Sequence, residues 1–259
     1  MKLDIYQVDA FSDKVFGGNP AAVVPLPSWP DEALMQNIAM ENNLSETAFF
    51  VPQGGDYELR WFTPLKEVDL CGHATLATAH LILNVLGQEQ ASVAFHTRSG
   101  KLTVERHDKL LRMNFPAIPL QPCDIPELLT EALGQPPLEV WAADDYMAVY
   151  AEEATIRALR PDLTLLTQLE RRGVIVTAPG DKHDFVSRFF APKYGVPEDP
   201  VTGSAHCKLA PYWSERLGKS VLNARQVSKR GGDVHCEMQG ERVLLSGQAV
   251  LYLQGEISI

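Results

Sequence analysis

At 259 residues, with 45% hydrophobic and 22% charged side chains, the chain has an ordinary globular composition and can bury one large core or two of moderate size. Its 33 Asp+Glu against 23 Lys+Arg give a formal net charge of −10, which argues against nucleic acid as the main partner but leaves room for a local positive site for a small anion. No run approaches the roughly 18 apolar residues of a membrane span, no secretory-signal pattern opens the chain, and Cys71, Cys123, Cys207 and Cys236 are scattered without C-x-x-C spacing. The chain therefore reads as cytoplasmic, with free thiols.

In chain order, the patterning predicts strands over 3–10 and 21–25 and a helix over 31–41, started by Ser28 and Pro30. Strands follow over 47–51 and 57–62, then a helix over 72–86 ended by Gly87, then strands over 92–97, 102–106 and 110–115. Six prolines crowd residues 116–137, stiffening a connection, so the domain boundary is placed at its start, giving domains 1–115 and 116–259. Beyond it come a helix over 127–133, a strand over 147–150, helices over 152–159 and 162–169, and a strand over 173–178. The last stretch, 249–257, fits either half. Many short strands and few helices, without strict alternation, make this an α+β protein rather than a doubly wound one.

The chain also repeats itself. Trp61-Phe62-Thr63-Pro64 leads to Cys71-Gly72-His73-Ala74-Thr75, and Phe189-Phe190-Ala191-Pro192 leads to Thr202-Gly203-Ser204-Ala205-His206. Eight residues separate Pro64 from Gly72 and eleven separate Pro192 from Gly203, so the second copy carries an insertion holding Glu198, Asp199 and Pro200. The segments 99–105 and 231–237 continue the match as hairpins. A duplication of this kind predicts two similar halves facing each other, each with a glycine-started helix whose N–H groups and dipole attract an anion. Two such ends in one cleft would hold a small carboxylate.

Groups able to move protons lie near those helix starts: Glu46, His73 and Asp199. Each has a plainer reading. Glu46 could be a solvated or capping carboxylate, Asp199 a turn or cap residue, and His73 a structural hydrogen-bonder. The histidines and cysteines lack paired zinc-ligand spacing, and Gly17-Gly18-Asn19-Pro20 lacks a nucleotide-loop pattern, so neither a metal nor a cofactor is expected.

The segments 17–24 (GGNPAAVV), 44–49 (LSETAF), 62–75 (FTPLKEVDLCGHAT) and 198–206 (EDPVTGSAH), in this order, resemble the phenazine-biosynthesis (PhzF-like) isomerase family over essentially the whole chain. The resemblance implies the diaminopimelate-epimerase-like fold, two pseudo-symmetric halves each with a mixed sheet wrapped around a central helix and the active site between them. It implies a cofactor-independent isomerase, typically a homodimer, acting on a small cyclic or unsaturated carboxylate. In the best-known member the substrate is a dihydro-hydroxyanthranilate, and a glutamate matching Glu46 moves the proton. His73 and Asp199 match the family's histidine and aspartate. Gly72, Gly203 and Ser204 match its carboxylate-binding loops, and Asn19 lies in the turn placed close to the site.

Epimerases and racemases of this fold set a cysteine before the glycine of each repeat. Cys71 occupies the first position and Thr202 the second, and a hydroxyl with no evident base cannot replace a thiolate as proton abstractor. Two-thiol stereoinversion is thus the alternative reading, and a non-catalytic ligand-binding or interaction protein is a third. Retention of Glu46, His73 and Asp199 together argues against the third.

Overall fold

The computed structural model describes residues 1–87 and 89–259, in two compact units: Met1–Asn114 with Ser246–Ile259, and Phe115–Leu245. The first unit contains β1 (Lys2–Ala10), β2 (Asn19–Pro25), α1 (Glu32–Asn42), β3 (Glu46–Gln53), β4 (Asp56–Phe62), the short β5 (Glu67–Val68), α2 (Gly72–His80), β6 (Ser92–Thr97), β7 (Gly100–His107) and β8 (Leu110–Pro116). The second contains β9 (Gln121–Cys123), α3 (Glu127–Leu133), β10 (Glu139–Ala142), β11 (Tyr146–Val149), α4 (Glu153–Ala158), α5 (Leu163–Leu166), β12 (Val174–Pro179), β13 (Phe185–Ala191), β14 (Val196–Asp199), α6 (Gly203–Leu217), β15 (Val221–Gln226), β16 (Gly232–Gln239) and most of β17 (Arg242–Gly247). The last strand, β18 (Ala249–Ser258), returns to the first unit and runs antiparallel along all of β1, from Lys2 opposite Ser258 to Ala10 opposite Ala249.

Each unit builds the same sheet. In the first, the order β18-β1-β2-β3-β4-β6-β7 runs antiparallel, antiparallel, parallel, antiparallel, parallel, antiparallel. In the second, β9-β10-β11-β12-β13-β15-β16 repeats that sequence of directions. The registers give residue equivalences. Phe62 lies opposite Thr47 and Phe190 opposite Val174, so Thr47 corresponds to Val174, Glu46 to Gly173 and Ser45 to Arg172. The same reasoning through β6 and β15 pairs Leu102 with Val234, as the sequence repeat aligns them.

A shared ion pair confirms the equivalence. Arg60 on β4 clamps Glu67 with two bonds of 2.7 Å and lies over the Phe62 ring at 5.2 Å. Its counterpart Arg188 on β13 clamps Glu198 with bonds of 2.7 and 3.0 Å and lies over Phe190 at 4.9 Å. Planar guanidinium suits both tasks, since it forks onto a carboxylate and stacks on a ring. In both units the clamp fixes the segment that leads to the glycine-started helix.

Helix α2 is made of small residues, and from His73 to Ala79 all of them are buried. Alanine and threonine let strands approach closely, and β1, β2, β3, β7 and β18 all contact this helix. Its hydroxyls do not go unsatisfied: Thr75 and Thr78 donate to the carbonyls of Cys71 and Ala74. The single helix predicted over 72–86 instead ends at His80 and continues as a π-helical turn, Leu81–Val85, with the Leu86 N–H reaching the Leu81 carbonyl. The start of α1 also differs from expectation. Asp31, not Ser28, caps it, accepting from the Ala33 N–H at 3.0 Å.

Candidate active site

In the first unit, two loops and one helix start bring Asn19, Glu46, Gly72 and His73 together. The turn before β2 is fixed by Gly18, whose φ of 62° and lack of a side chain are both required: a Cβ there would lie 2.1 Å from the Ala10 carbonyl oxygen. That turn delivers Asn19, fully buried, to the first position of β2. Asn43 ends α1 in the left-handed conformation, after which Ser45 and Glu46 enter β3. Cys71 precedes α2 in extended conformation and does not cap it with its side chain, which places His73 in the first turn.

The His73 ring is 5% exposed and touched at both nitrogens. Nδ1 lies 3.2 Å from Asn19 Nδ2 and 3.5 Å from Cys71 Sγ. Nε2 lies 3.2 Å from Glu46 Oε2 and 3.3 Å from Ser45 Oγ, and the Ser45 hydroxyl donates to Asn19 Oδ1 at 3.1 Å. Burial pushes the imidazole pKa down to about 3, so the ring is neutral at physiological pH. Glu46, whose side chain is 15% exposed, is therefore neither an open-surface carboxylate nor a helix cap.

In the second unit, Asp199, Gly203 and Ser204 surround the start of α6. The Thr202 hydroxyl donates to Asp199 Oδ2 at 2.5 Å. Buried Gln226 accepts from the Thr202 N–H at 2.9 Å and donates to the Asp199 carbonyl at 2.6 Å. The expectation that Thr202 has no adjacent base is thus corrected: the insertion folds Asp199 back onto it. Ser204 Oγ accepts from Arg172 Nη2 at 3.1 Å. Arg172 is held by two bonds to Asp145, at 2.9 and 2.6 Å, and fully buried Lys208 reaches Asp145 at 2.7 Å and Asp144 at 2.8 Å.

Comparison with known proteins fits this arrangement. The family model described as phenazine biosynthesis-like protein matches residues 8–255. The chain belongs to this family. A Pseudomonas aeruginosa protein named as an uncharacterized isomerase is 54% identical over 259 residues, covering all of both chains. A crystal structure of a PhzF-family phenazine biosynthesis protein from Enterococcus faecalis superposes with a TM-score of 0.98 at 47% identity, again over all of both chains. A hydroxyproline epimerase from Agrobacterium vitis, at 11% identity and a TM-score of 0.64 over 99% of this chain and 92% of its own, shares the fold. The fold is accordingly α+β and epimerase-like.

Within this phenazine biosynthesis-like chain, the equivalences show how far the two repeats have diverged. His73 corresponds to Ser204, Glu46 to Gly173, Cys71 to Thr202 and Asn19 to Ala143, so only the first unit holds the carboxylate–imidazole pair. Sequence reasoning missed Ser45, Gln226, Arg172, Asp145 and Lys208. Lys208 alone left a signal, a single lysine in the otherwise apolar run 205–211 apart from its histidine. Donor atoms of Glu46, Cys71 and His73 lie within 4.8 Å of one another, but the thiol faces Nδ1 and the carboxylate Nε2.

Burial of the histidines has a measurable consequence. His73 is pushed down to about 3 and His206, also by burial, to about 4, from an ordinary 6.5. Both take up protons on unfolding before they do so when folded, so their contribution to stability should be level above pH 6.5 and fall as pH drops from 6.5 toward 4. Each residue contributes a slope of up to about 1.4 kcal/mol per pH unit. Melting temperature against pH checks this, and His206→Gln should flatten the slope. A level profile down to the lower limit would refute it.

Proposed function

We propose that the protein is a cofactor-independent isomerase that moves a proton within a small cyclic or unsaturated carboxylate, with Glu46 as the carrier. The observation that carries this is Glu46 Oε2 held 3.2 Å from a neutral, buried imidazole. A carboxylate in such surroundings can accept a substrate proton and return it elsewhere. His73 orients it, and Asp199 orients the substrate. Gly72, Gly203 and Ser204 receive the carboxylate at helix starts whose preceding side chains, Cys71 and Thr202, make no cap. The isomerase name of the 54%-identical relative supports the same class.

The test is a panel of cyclic unsaturated carboxylates, a dihydro-hydroxyanthranilate among them, followed by proton NMR in D2O without additives. Double-bond migration supports the reading, whether deuterium enters the product or a shielded Glu46 returns the substrate's own proton. Ligand binding without any turnover across the panel, or turnover only with an added redox cofactor, overturns it.

A second reading draws on one specific feature. Each repeat gives the residue before its glycine an acid–base partner, His73 Nδ1 for Cys71 at 3.5 Å and Asp199 for Thr202 at 2.5 Å. Such a set favours stereoinversion at an amino-acid α-carbon by a thiol and a carboxylate-backed hydroxyl. Cys71→Ala separates the two: turnover stays within about tenfold under the isomerase reading, since a buried thiol then acts only as packing, and is abolished under the second.

A further inference from the structure

We propose that Asn19 and Ser45 lock the His73 ring in its Nε2–H tautomer, so that the nitrogen beside Glu46 already carries a proton and cannot take the one that Glu46 carries. The functional half of this rests on Glu46 as proton carrier; the tautomer itself does not.

Three side chains close a ring of hydrogen bonds. His73 Nε2 meets Ser45 Oγ at 3.3 Å, the Ser45 hydroxyl donates to Asn19 Oδ1 at 3.1 Å, and Asn19 Nδ2 meets His73 Nδ1 at 3.2 Å. A hydroxyl has one proton, so with that proton on Asn19 Oδ1 its lone pairs face Nε2. The amide NH2 faces Nδ1, which must then be the lone-pair nitrogen. Both ends require the proton on Nε2.

The ring would also close in the opposite direction, with the Asn19 amide turned over and the proton on Nδ1. Glu46 decides between the two. Its Oε2 lies 3.2 Å from Nε2, and an ionised carboxylate only accepts. The reversed ring sets a nitrogen lone pair against it, whereas the observed one sets the positive end of the Nε2–H bond beside it, with that hydrogen bonded to Ser45 Oγ rather than to the carboxylate. Buried Asn19 cannot turn over alone: unless the ring proton moves from Nε2 to Nδ1 at the same time, two links of the ring break.

When Glu46 gains a proton from substrate, the nearest imidazole nitrogen already carries its own. Nδ1, the only lone pair left on the ring, is on the opposite edge and occupied by an amide donor. The proton on Glu46 has no route into His73 and remains for return to the substrate. Asn19 is thus a positioning residue acting through His73. The second unit has no such device, because the equivalents of Asn19, Ser45 and His73 are Ala143, Arg172 and Ser204.

Long-range proton–nitrogen correlation NMR on protein labelled at histidine reads the tautomer without any substrate. The expected result is a pyrrole-type Nε2 and a pyridine-type Nδ1 on His73 across neutral pH. An Nδ1–H tautomer, or an imidazolium, would overturn the lock and leave the assignment of Glu46 standing. Asn19→Asp puts an acceptor-only group against Nδ1 and should move the proton there, raising the His73 pKa by about 1–3 units. Ser45→Ala opens the ring and should give a mixture of tautomers. Should either variant fail to fold, the wild-type spectrum and the other variant still decide; unchanged His73 signals in both folded variants refute the lock.

Discussion

Glu46→Gln should lower kcat by about 10²–10⁴-fold while leaving the melting temperature nearly unchanged. Glutamine keeps the volume of the side chain, and its carbonyl oxygen can still lie beside His73 Nε2, where the carboxylate oxygen now sits at 3.2 Å. What it lacks is a group that gains and loses a proton near neutral pH. Substrate binding, read by calorimetry with whichever carboxylate the panel identifies, should survive, because the proposed carboxylate contacts come from Gly72, Gly203 and Ser204. The loss therefore belongs in kcat rather than KM. A variant turning over within tenfold of wild type would end the assignment and move suspicion to Asp199, the next carboxylate with an ordered proton partner at 2.5 Å.

The longer strands of the first unit and the two glycine-started helices were legible because period-two and period-3.6 patterns are local, and because the repeat marks those helix starts twice. What failed were features set by the neighbours of a segment. The π-helical turn after His80 changes the spacing of the backbone bonds in a run whose side chains alone read as one continuous helix. The partner of β18 was undecidable from sequence since its residues suit any sheet edge, and only the register with β1 assigns it. At the site, Glu46 and His73 stood out as titratable side chains next to recognisable motifs. Ser45 and Gln226 did not, because a neutral hydroxyl or amide acquires a role only from what it faces. Asp199 was visible, but its bond to Thr202 depends on how the insertion folds back.

The duplicated fold and the single carboxylate–imidazole pair are compatible for a physical reason. The Arg60–Glu67 and Arg188–Glu198 clamps hold backbone, and both repeats need that alike to present a helix start. Asn19, Ser45, Glu46 and His73 bring their polar groups to one another and take no part in those clamps. They are free to differ, so Glu46 opposes a glycine at the equivalent position while the strand around it keeps its register.

The largest effect on stability should come from Asp145→Ala. Asp145 and Lys208 are both fully buried, and the carboxylate also holds Arg172 with two bonds. Removing it leaves an ammonium that cannot reach water, with the half-exposed Asp144 at 2.8 Å and the Ser204 carbonyl at 3.4 Å to offset it. Breaking one side of a buried ion pair costs about 3–5 kcal/mol. For units of this size that corresponds to a fall of about 6–20 °C in melting temperature, measured by differential scanning fluorimetry. Asp145→Leu combined with Lys208→Met removes both charges and should recover much of the loss, since an apolar pair of similar volume needs no compensation. Arg172, which is partly exposed, can then turn toward solvent, so Ser204 loses its donor even where stability returns. The double variant should accordingly fold well and bind carboxylate more weakly. A single variant costing under about 1 kcal/mol would show that Asp144 alone neutralises Lys208, and would remove Asp145 from the account of how Ser204 is held.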